Sequence, residues 1–592
     1  MSLDATAAAL DPELLASWRQ VRRYAVPRSM IEESAGRRAV GDWRGACAAA
    51  RFDIGFELPE AAARYGPEVA GALEDDLRHL VPDLVRWHLP RVLGGRSTLS
   101  AGLTVVLAGY GAADAPGAGA SAPYLYLRTP VLTEGPQRLS LRFGTLRRTG
   151  SPAVFRAGVT DWRECRALWD ARRTDELRAR AGGADRLPFL RADGVPLAPD
   201  ELPADDPGPG DPVARAEWVT LLYRRGRVSD ALAAAGIELD PTVPATPRWY
   251  QAEPEKAVGE LGLDVPRLAA EARRFAALYP TACLRIGKSW RTGVLLHLTG
   301  RGDGGGPLIR VVSEAPQDVV DLPDCLSREL PDLGLLRAGA LTPDQLHPLV
   351  AGALFPGGRT AYGPPPPPRP EPVRVRCGGS WHEVAFRDGR LGMPHSDQER
   401  QRENALRAFG GAVTGCFAVE HSCVTGTGRL PRALRAQRRD FFLRAEHGDT
   451  AGVLELLDAG VDPRILDGGR RSLLHVLHLL DHEELLPRLL AAGLGLEALD
   501  HRGRTPLCAA VADRGSAELV TALIEAGARI DVTDQMELSL AQLIRMYRRT
   551  DLEFLRERVE KEHPGVGAEW WDEWQEEREE QREEQESEDE EE

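Results

Sequence analysis

Apolar residues recur at helical spacing through the first ninety positions. Leu14, Leu15, Trp18 and Val21 form one stripe behind Pro12, which predicts a helix with proline in its first turn. A helix pair is expected over 30–50, broken at Gly41-Asp42. Another helix starts at Pro67 and runs through Leu73, Leu77 and Leu80, and Trp87 and Leu89 continue its apolar face beyond Pro82. At Leu103 the period falls to two. Residues 104–107, 124–127, 139–143 and 153–155 read as strands, and the Ala/Gly/Pro-rich stretch 109–123 as a hairpin loop.

The alternation of helical and strand-like patterns continues. Residues 162–180 read as helical, 200–212 (nearly all Asp, Pro and Gly) as a linker, and 217–235 as two short helices. A helix over 265–278 precedes strands at 283–286, 294–298 and 309–312, then a helical patch at 343–354. Five consecutive prolines, 364–368, make a stiff polyproline-II spacer. A hairpin over 373–377 and 383–386 and a helix over 396–409 follow. Leu284-Arg-Ile-Gly-Lys-Ser-Trp290 aligns with Val375-Arg-Cys-Gly-Gly-Ser-Trp381, and Leu141-Arg-Phe-Gly144 is a shorter echo; the pattern suggests recurring α+β modules.

From about residue 438 to 563 the pattern becomes periodic. Leu456-Leu-Asp-Ala-Gly460, Leu489-Leu-Ala-Ala-Gly493 and Leu523-Ile-Glu-Ala-Gly527 place glycines 33 and 34 residues apart, the mark of stacked supersecondary units. Thr505-Pro506-Leu507-Cys508 opens one unit, and Ser472-Leu473-Leu474-His475 stands 33 residues earlier. The stretch resembles the ankyrin repeat, whose units open with Thr-Pro-Leu-His and close with Leu-Leu-x-x-Gly-Ala. The likeness is good at Ser472 and Thr505, partial at Arg439 and weakest at Ser539. Thr at a helix start caps free N–H groups, Pro suits the first turn, and Gly accepts the left-handed conformation where a helix ends. About four units are expected, the last more charged (Arg548, Arg549, Arg556, Glu557, Arg558), as suits a capping unit.

The expected class is thus a multidomain chain, with α+β N-terminal and middle regions, an all-α ankyrin-like stack and a disordered acidic tail. Its divisions are 1–199, a linker at 200–212, 213–360, a Pro-rich linker at 361–372, a small α+β segment at 373–430, repeats at 431–566 and the tail at 567–592.

Charge refines this picture. The formal charge is −16, but residues 569–592 carry 15 acidic and 2 basic side chains, so the remainder is close to balanced. That tail is too charged to bury. Lysine occurs only at 256, 288 and 561; the arginine excess, with abundant Ala, Gly and Pro, reads as a GC-rich, actinobacterial-type coding bias, not as a nucleic-acid footprint. The charge balance argues against nucleic acid as a partner. Eight cysteines without a Cys-x-x-Cys pair do not make a disulfide framework. With no basic-then-apolar leader and no run of about 20 apolar residues, a soluble cytoplasmic protein without membrane association is expected.

Several motifs invite chemical readings that their context opposes. Gly287-Lys288-Ser289 fits a permissive phosphate-loop pattern, but the preceding residues alternate like a strand and no helix follows. His475, His478 and His482 suggest a metal face, yet the repeat register accounts for two of them: His475 ties backbone turns together and His482 stands between the helices. Cys377, His382, Cys416, His421 and Cys423 cluster, but His421-x-Cys423 is too close and Cys377-x-x-x-x-His382 too wide for the common zinc spacing; buried free thiols explain them equally. Glu74-Asp75-Asp76 reads as a solvated helix face and Arg301-Gly-Asp303 as coincidence. Trp570, Trp571 and Trp574 read as a last core contact. No Gly-x-Ser-x-Gly elbow or His-Glu-x-x-His occurs. No catalytic residue, cofactor or metal is assigned.

The functional expectation is an interaction protein, a scaffold or adaptor for an unidentified protein partner. As the resemblance implies, contacts come from hairpin tips and inner helix ends, which register places at Arg471, His501, Arg502, Arg504, Asp513, Gln535 and Met536. Arg502 and Arg504 are the expected exposed anchors. The alternative is an enzyme whose active site lies within residues 10–356, with the repeats selecting its substrate.

Overall fold

A computed structural model describes residues 11–571 apart from 112–121, 147–157, 245–252, 280, 289–291, 300–304, 314–318 and 412. The strand expected at 153–155, the Arg301-Gly-Asp303 loop, Trp290 and Trp574 with the acidic tail lie outside these residues. The chain divides into two compact units, residues 1–131 with 138–365, and residues 132–137 with 366–592.

The first unit contains one topology twice. Strands β1 (Phe52–Ile54), β2 (Thr104–Gly109), β3 (Pro123–Arg128), β4 (Leu139–Thr145) and β5 (Val159–Asp161) form a sheet of order β1-β4-β3-β2-β5. Its centre is an antiparallel meander, and both edge strands are parallel to their neighbours. Strands β6 (Glu238–Leu239), β7 (Cys283–Lys288), β8 (Gly293–His297), β9 (Leu308–Val312) and β10 (Val320–Asp321) repeat that order and those pairing senses. The match extends to irregularities: β2 shifts register between Val106 and Ala108, and β7 between Arg285 and Gly287. Just past the last strand, Trp162 N–H donates to Val106 O and Leu322 N–H to Arg285 O, both at 2.8 Å. A helix pair precedes each sheet, Arg28–Ala39 with Trp43–Ala49 and Pro212–Arg224 with Val228–Ala234. In this register Cys165 and Cys325 occupy equivalent positions, and their sulfurs meet at 3.0 Å.

Caps visible in the sequence set the helix starts. Asp11 Oδ1 accepts from Glu13 N–H at 2.9 Å ahead of Pro12, and Asp42 Oδ1 accepts from Gly45 N–H at 2.8 Å. Buried apolar residues from Val21 to Phe355 form one contiguous cluster. Set in it, Arg22 donates through Nε and Nη2 to Asp332 at 2.6 and 3.0 Å and through Nη1 to Trp87 O at 2.7 Å.

Two expectations for this unit need correction, and a third reading holds. Residues 162–180 are not a continuous helix: a 3-10 segment Arg163–Leu168, with non-helical backbone at Cys165, is separated from a short helix Glu176–Arg180. Asp76 is not solvated. It lies one turn on from the buried Leu73, and so faces Tyr110 Oη (2.9 Å), Arg172 Nη2 (2.7 Å) and Arg166. The strand read over 283–286 is present and runs on to Lys288, so Gly287 and Lys288 belong to a bulged strand, in keeping with the alternation that argued against a phosphate loop. The internal echo also shifts: Leu284 and Val375 both lie in first strands of meanders, whereas Leu141 lies in a third.

The second unit begins with a small antiparallel meander, β11 (Val373–Cys377), β12 (Ser380–Arg387) and β13 (Arg390–Gly392). The helices Asp397–Ala408 and Gly415–Thr425 follow. Four helix layers come next: Arg432–His447 with Thr450–Asp458, the 3-10 turn Leu477–Leu479 with His482–Ala491, Pro506–Ala512 with Ala517–Glu525, and Leu540–Met546 with Glu553–Glu562. One apolar seam runs from Val373 to Trp571. Trp571 is buried while Trp570 is exposed, so one tryptophan of the cluster makes the last core contact. No helix among the described residues is long and apolar enough to cross a membrane.

Candidate partner-binding surface of the helical repeats

Each layer is fixed by the phrase that recurs in the sequence. Thr505 Oγ1 accepts from Cys508 N–H at 3.3 Å, Ser516 Oγ from Leu519 N–H at 3.2 Å and Ser539 Oγ from Gln542 N–H at 3.3 Å. Gly460, Gly493 and Gly527 take φ of 94°, 84° and 101° just beyond their helices, where a side chain would strain the turn. Gly460 is also needed for space, since a Cβ there would lie 3.0 Å from the Asp388 nitrogen. The layer opening at Ser472 departs from its neighbours. It has Leu473 where Pro506 pre-sets the first turn of the next layer, and it forms only a 3-10 turn.

A second recurrence, not singled out in the sequence, organises the loops. Asp467, Asp500 and Asp534 stand 33 and 34 residues apart. Asp467 Oδ1 accepts from the N–H groups of Gly469 and Arg471, Asp500 Oδ1 from Arg502 and Arg504, and Asp534 Oδ1 from Met536 and Leu538, all at 2.8–3.1 Å. Each aspartate thus folds a tip around its carboxylate. Adjacent tips are joined through backbone: His501 N–H donates to Gly469 O at 3.0 Å, and Gln535 N–H to Arg502 O at 3.2 Å. The period of these aspartates was the available signal.

The expected contact residues separate into two groups. At the tips, Arg502 is 45 % exposed, with Glu134 Oε2 3.7 Å from its Nη1, and Met536 is 50 % exposed. His501 and Gln535 are exposed beside them, and Arg471 is half-buried, bonded to Asp467 at 2.7 Å and Glu446 at 3.0 Å. Arg504 and Asp513 differ. The Arg504 side chain is only 9 % exposed; it donates to Asp500 Oδ2 at 3.1 and 3.0 Å and to Asp513 at 3.3 and 3.1 Å. Arg504 is therefore a strut inside the stack and not an exposed anchor. Register located its Cα but not the two carboxylates that neutralise it.

His475 plays the part its register implies. Its Nδ1 accepts from Ser472 N–H at 3.1 Å, so Nε2 carries the proton and donates to Ala498 O and Arg504 O at 3.0 and 3.1 Å. Burial holds its pKa below the ordinary histidine value. Of the other cysteine and histidine candidates, Cys423 is buried in the apolar seam and His421 Nδ1 lies 3.3 Å from Arg407. Cys377, His382 and Cys416 converge instead on His395, which was not among the expected residues.

Burial would raise the Asp500 carboxyl pKa, but the N–H groups of Arg504 and Arg502 and the Arg504 charge hold it below the usual carboxylate value. Stability from this group is then complete above the unfolded-state pKa of about 3.9 and is lost as pH falls through the lower folded value. Amide protection at the Arg502–Arg504 tip, measured against the intrinsic exchange rate at each pH, should fall below about pH 4, and in Asp500→Asn should already be low at pH 7. Equal protection in both proteins at pH 7 would refute this role.

Comparison with known families agrees with this geometry. The family model for ankyrin repeats (3 copies) matches residues 441–534. The fourth helix layer, Leu540–Met546 with Glu553–Glu562, lies beyond the matched span. Residues 441–534 are thus an ankyrin-repeat segment, a module of protein–protein interaction.

Proposed function

We propose that the chain is an adaptor that captures a protein partner on the joined tips of its repeats, with Arg502 and Met536 as the main contacts and His501 and Gln535 flanking them. The observation that carries this reading is the division of labour at the tips. The tip aspartates and backbone bonds hold the loops, leaving a cationic and an apolar side chain presented on a rigid edge. Preorganisation of this kind lowers the ordering cost of binding, and arginine beside an apolar anchor suits a partner surface carrying carboxylate and apolar groups. The cytoplasm is the compartment proposed for this interaction.

The test uses the full chain with a photo-crosslinking residue at Met536, expressed in its native cells. A discrete adduct should form there, and not from the same residue at Val40 in the first unit. Arg502→Glu should reduce the adduct at least tenfold at unchanged thermal stability, since an anchor of this type contributes about 2 kcal/mol. An equal yield from the Arg502→Glu protein, or no adduct at any tip position, would overturn the proposal.

A further inference from the structure

The small meander ahead of the repeats gathers four metal-binding side chains. Cys377-Gly378-Gly379-Ser380 closes β11 onto β12 as a two-residue turn, with φ of 56° and 88° at the glycines and Cys377 paired to Ser380. Val375 lies directly opposite His382. Because side chains alternate along a strand, Cys377 and Val375 share a face, so Cys377 and His382 project from the same side of the hairpin. His395 stands in the loop after β13, just before the cap of the helix Asp397–Ala408. Cys416 is in the first turn of the helix Gly415–Thr425. Gly415 takes φ of 60°, and a Cβ there would overlap Cys377 Sγ; glycine is what lets this helix start come so close to the strand.

The four ligand atoms lie within 4.8 Å of one another. His382 Nδ1 is 3.2 Å from His395 Nε2, Cys377 Sγ is 3.5 Å from His395 Nε2, and Cys416 Sγ is 3.6 Å from His382 Nδ1. A tetrahedral zinc ion with ordinary bond lengths sets its ligands about 3.3 Å apart for two nitrogens and about 3.6 Å for nitrogen and sulfur. The three measured separations match these edges. The other ring nitrogen of His395 is 3.7 Å from the Glu399 carboxylate, on the side from which an outer carboxylate would orient a zinc-bound imidazole. The His395 ring also packs against Phe417, with centroids 4.7 Å apart.

We propose that Cys377, His382, His395 and Cys416 form a structural zinc site that clamps the β11–β12 hairpin and the loop after β13 to the helix Gly415–Thr425. Two thiolates and two imidazoles select zinc over harder cations, and four protein ligands leave no open position for catalysis. The site is independent of the partner surface on the repeats.

The full-length protein, purified without chelator, should carry one zinc per chain. Exchange for Co²⁺ should give the visible absorption and thiolate charge-transfer bands of a tetrahedral S₂N₂ centre. Cys416→Ser and His395→Ala should each abolish zinc retention against a chelator that leaves the wild type loaded, whereas Cys423→Ser, a buried thiol outside the cluster, should retain it. Glu399→Gln should weaken zinc binding about 10–100-fold. The Co²⁺ spectrum of the wild-type chain decides the matter even if the ligand variants fail to fold. No tetrahedral spectrum, zinc retained in Cys416→Ser, or a Cys377–Cys416 disulfide in place of metal under reducing conditions would overturn the site.

Discussion

Asp332→Ala is expected to destabilise the first unit by about 3–5 kcal/mol, because it strands a guanidinium in the apolar core. Arg22 and Asp332 are 1 % and 0 % exposed as side chains. The carboxylate accepts from two Arg22 nitrogens and, at 3.3 Å, from Trp87 Nε1. The guanidinium also lies over Trp87, 4.4 Å from the ring centroid, and 5.3 Å from that of Trp18. With the carboxylate gone the charge cannot reach water without opening the helix Pro12–Tyr24. The double change Arg22→Met/Asp332→Leu removes both charges and fills similar volume, so it should recover most of the loss. Urea unfolding of the first unit, followed by hydrogen exchange in residues 12–24, checks both statements. A double variant no more stable than Asp332→Ala would show that the pair does not act as a unit.

The other large effect is expected in the repeats. Leu489→Ala should cost about 2–5 kcal/mol, the range for emptying a fully buried leucine site. Leu489 is 0 % exposed and sits in the seam shared by successive layers. Stability of a stack is carried by nearest-neighbour interfaces, so protection should fall in the flanking helices Thr450–Asp458 and Ala517–Glu525 as well as in His482–Ala491. Leu499→Ala, at a residue 51 % exposed, should change stability by less than about 0.5 kcal/mol. Coincident urea midpoints for the two variants would refute a shared seam.

The contrast between what sequence reveals and what it hides has a physical basis. Repeats are legible because one solution recurs: Gly460, Gly493 and Gly527 answer the same backbone problem at a nearly fixed interval. The meander strands are legible where alternation marks half-buried segments, as in β4 and β11. The edge strands β1, β5, β6 and β10 have only two or three residues, too few to show a period, so the doubled sheet is hidden. Its halves share apolar pattern, not identity, with Thr104-Val-Val-Leu107 standing where Cys283-Leu-Arg-Ile286 stands later. His395 escaped for another reason. Its separation from Cys377 and Cys416 in the chain follows from a three-strand turn, and no common ligand spacing describes that geometry. Arg504 shows the limit of register, which fixes a position on a scaffold but not the charges that meet it.

Cys165 and Cys325 hold matching places in the two halves of the first unit and touch each other. A residue facing its own counterpart is what arises on the dyad of a symmetric pair. Covalent continuity between such halves turns an encounter that would depend on concentration into one set by tether length. Carried on one chain, the two halves need not match residue for residue beside that contact, as Trp162 and Leu322 do not.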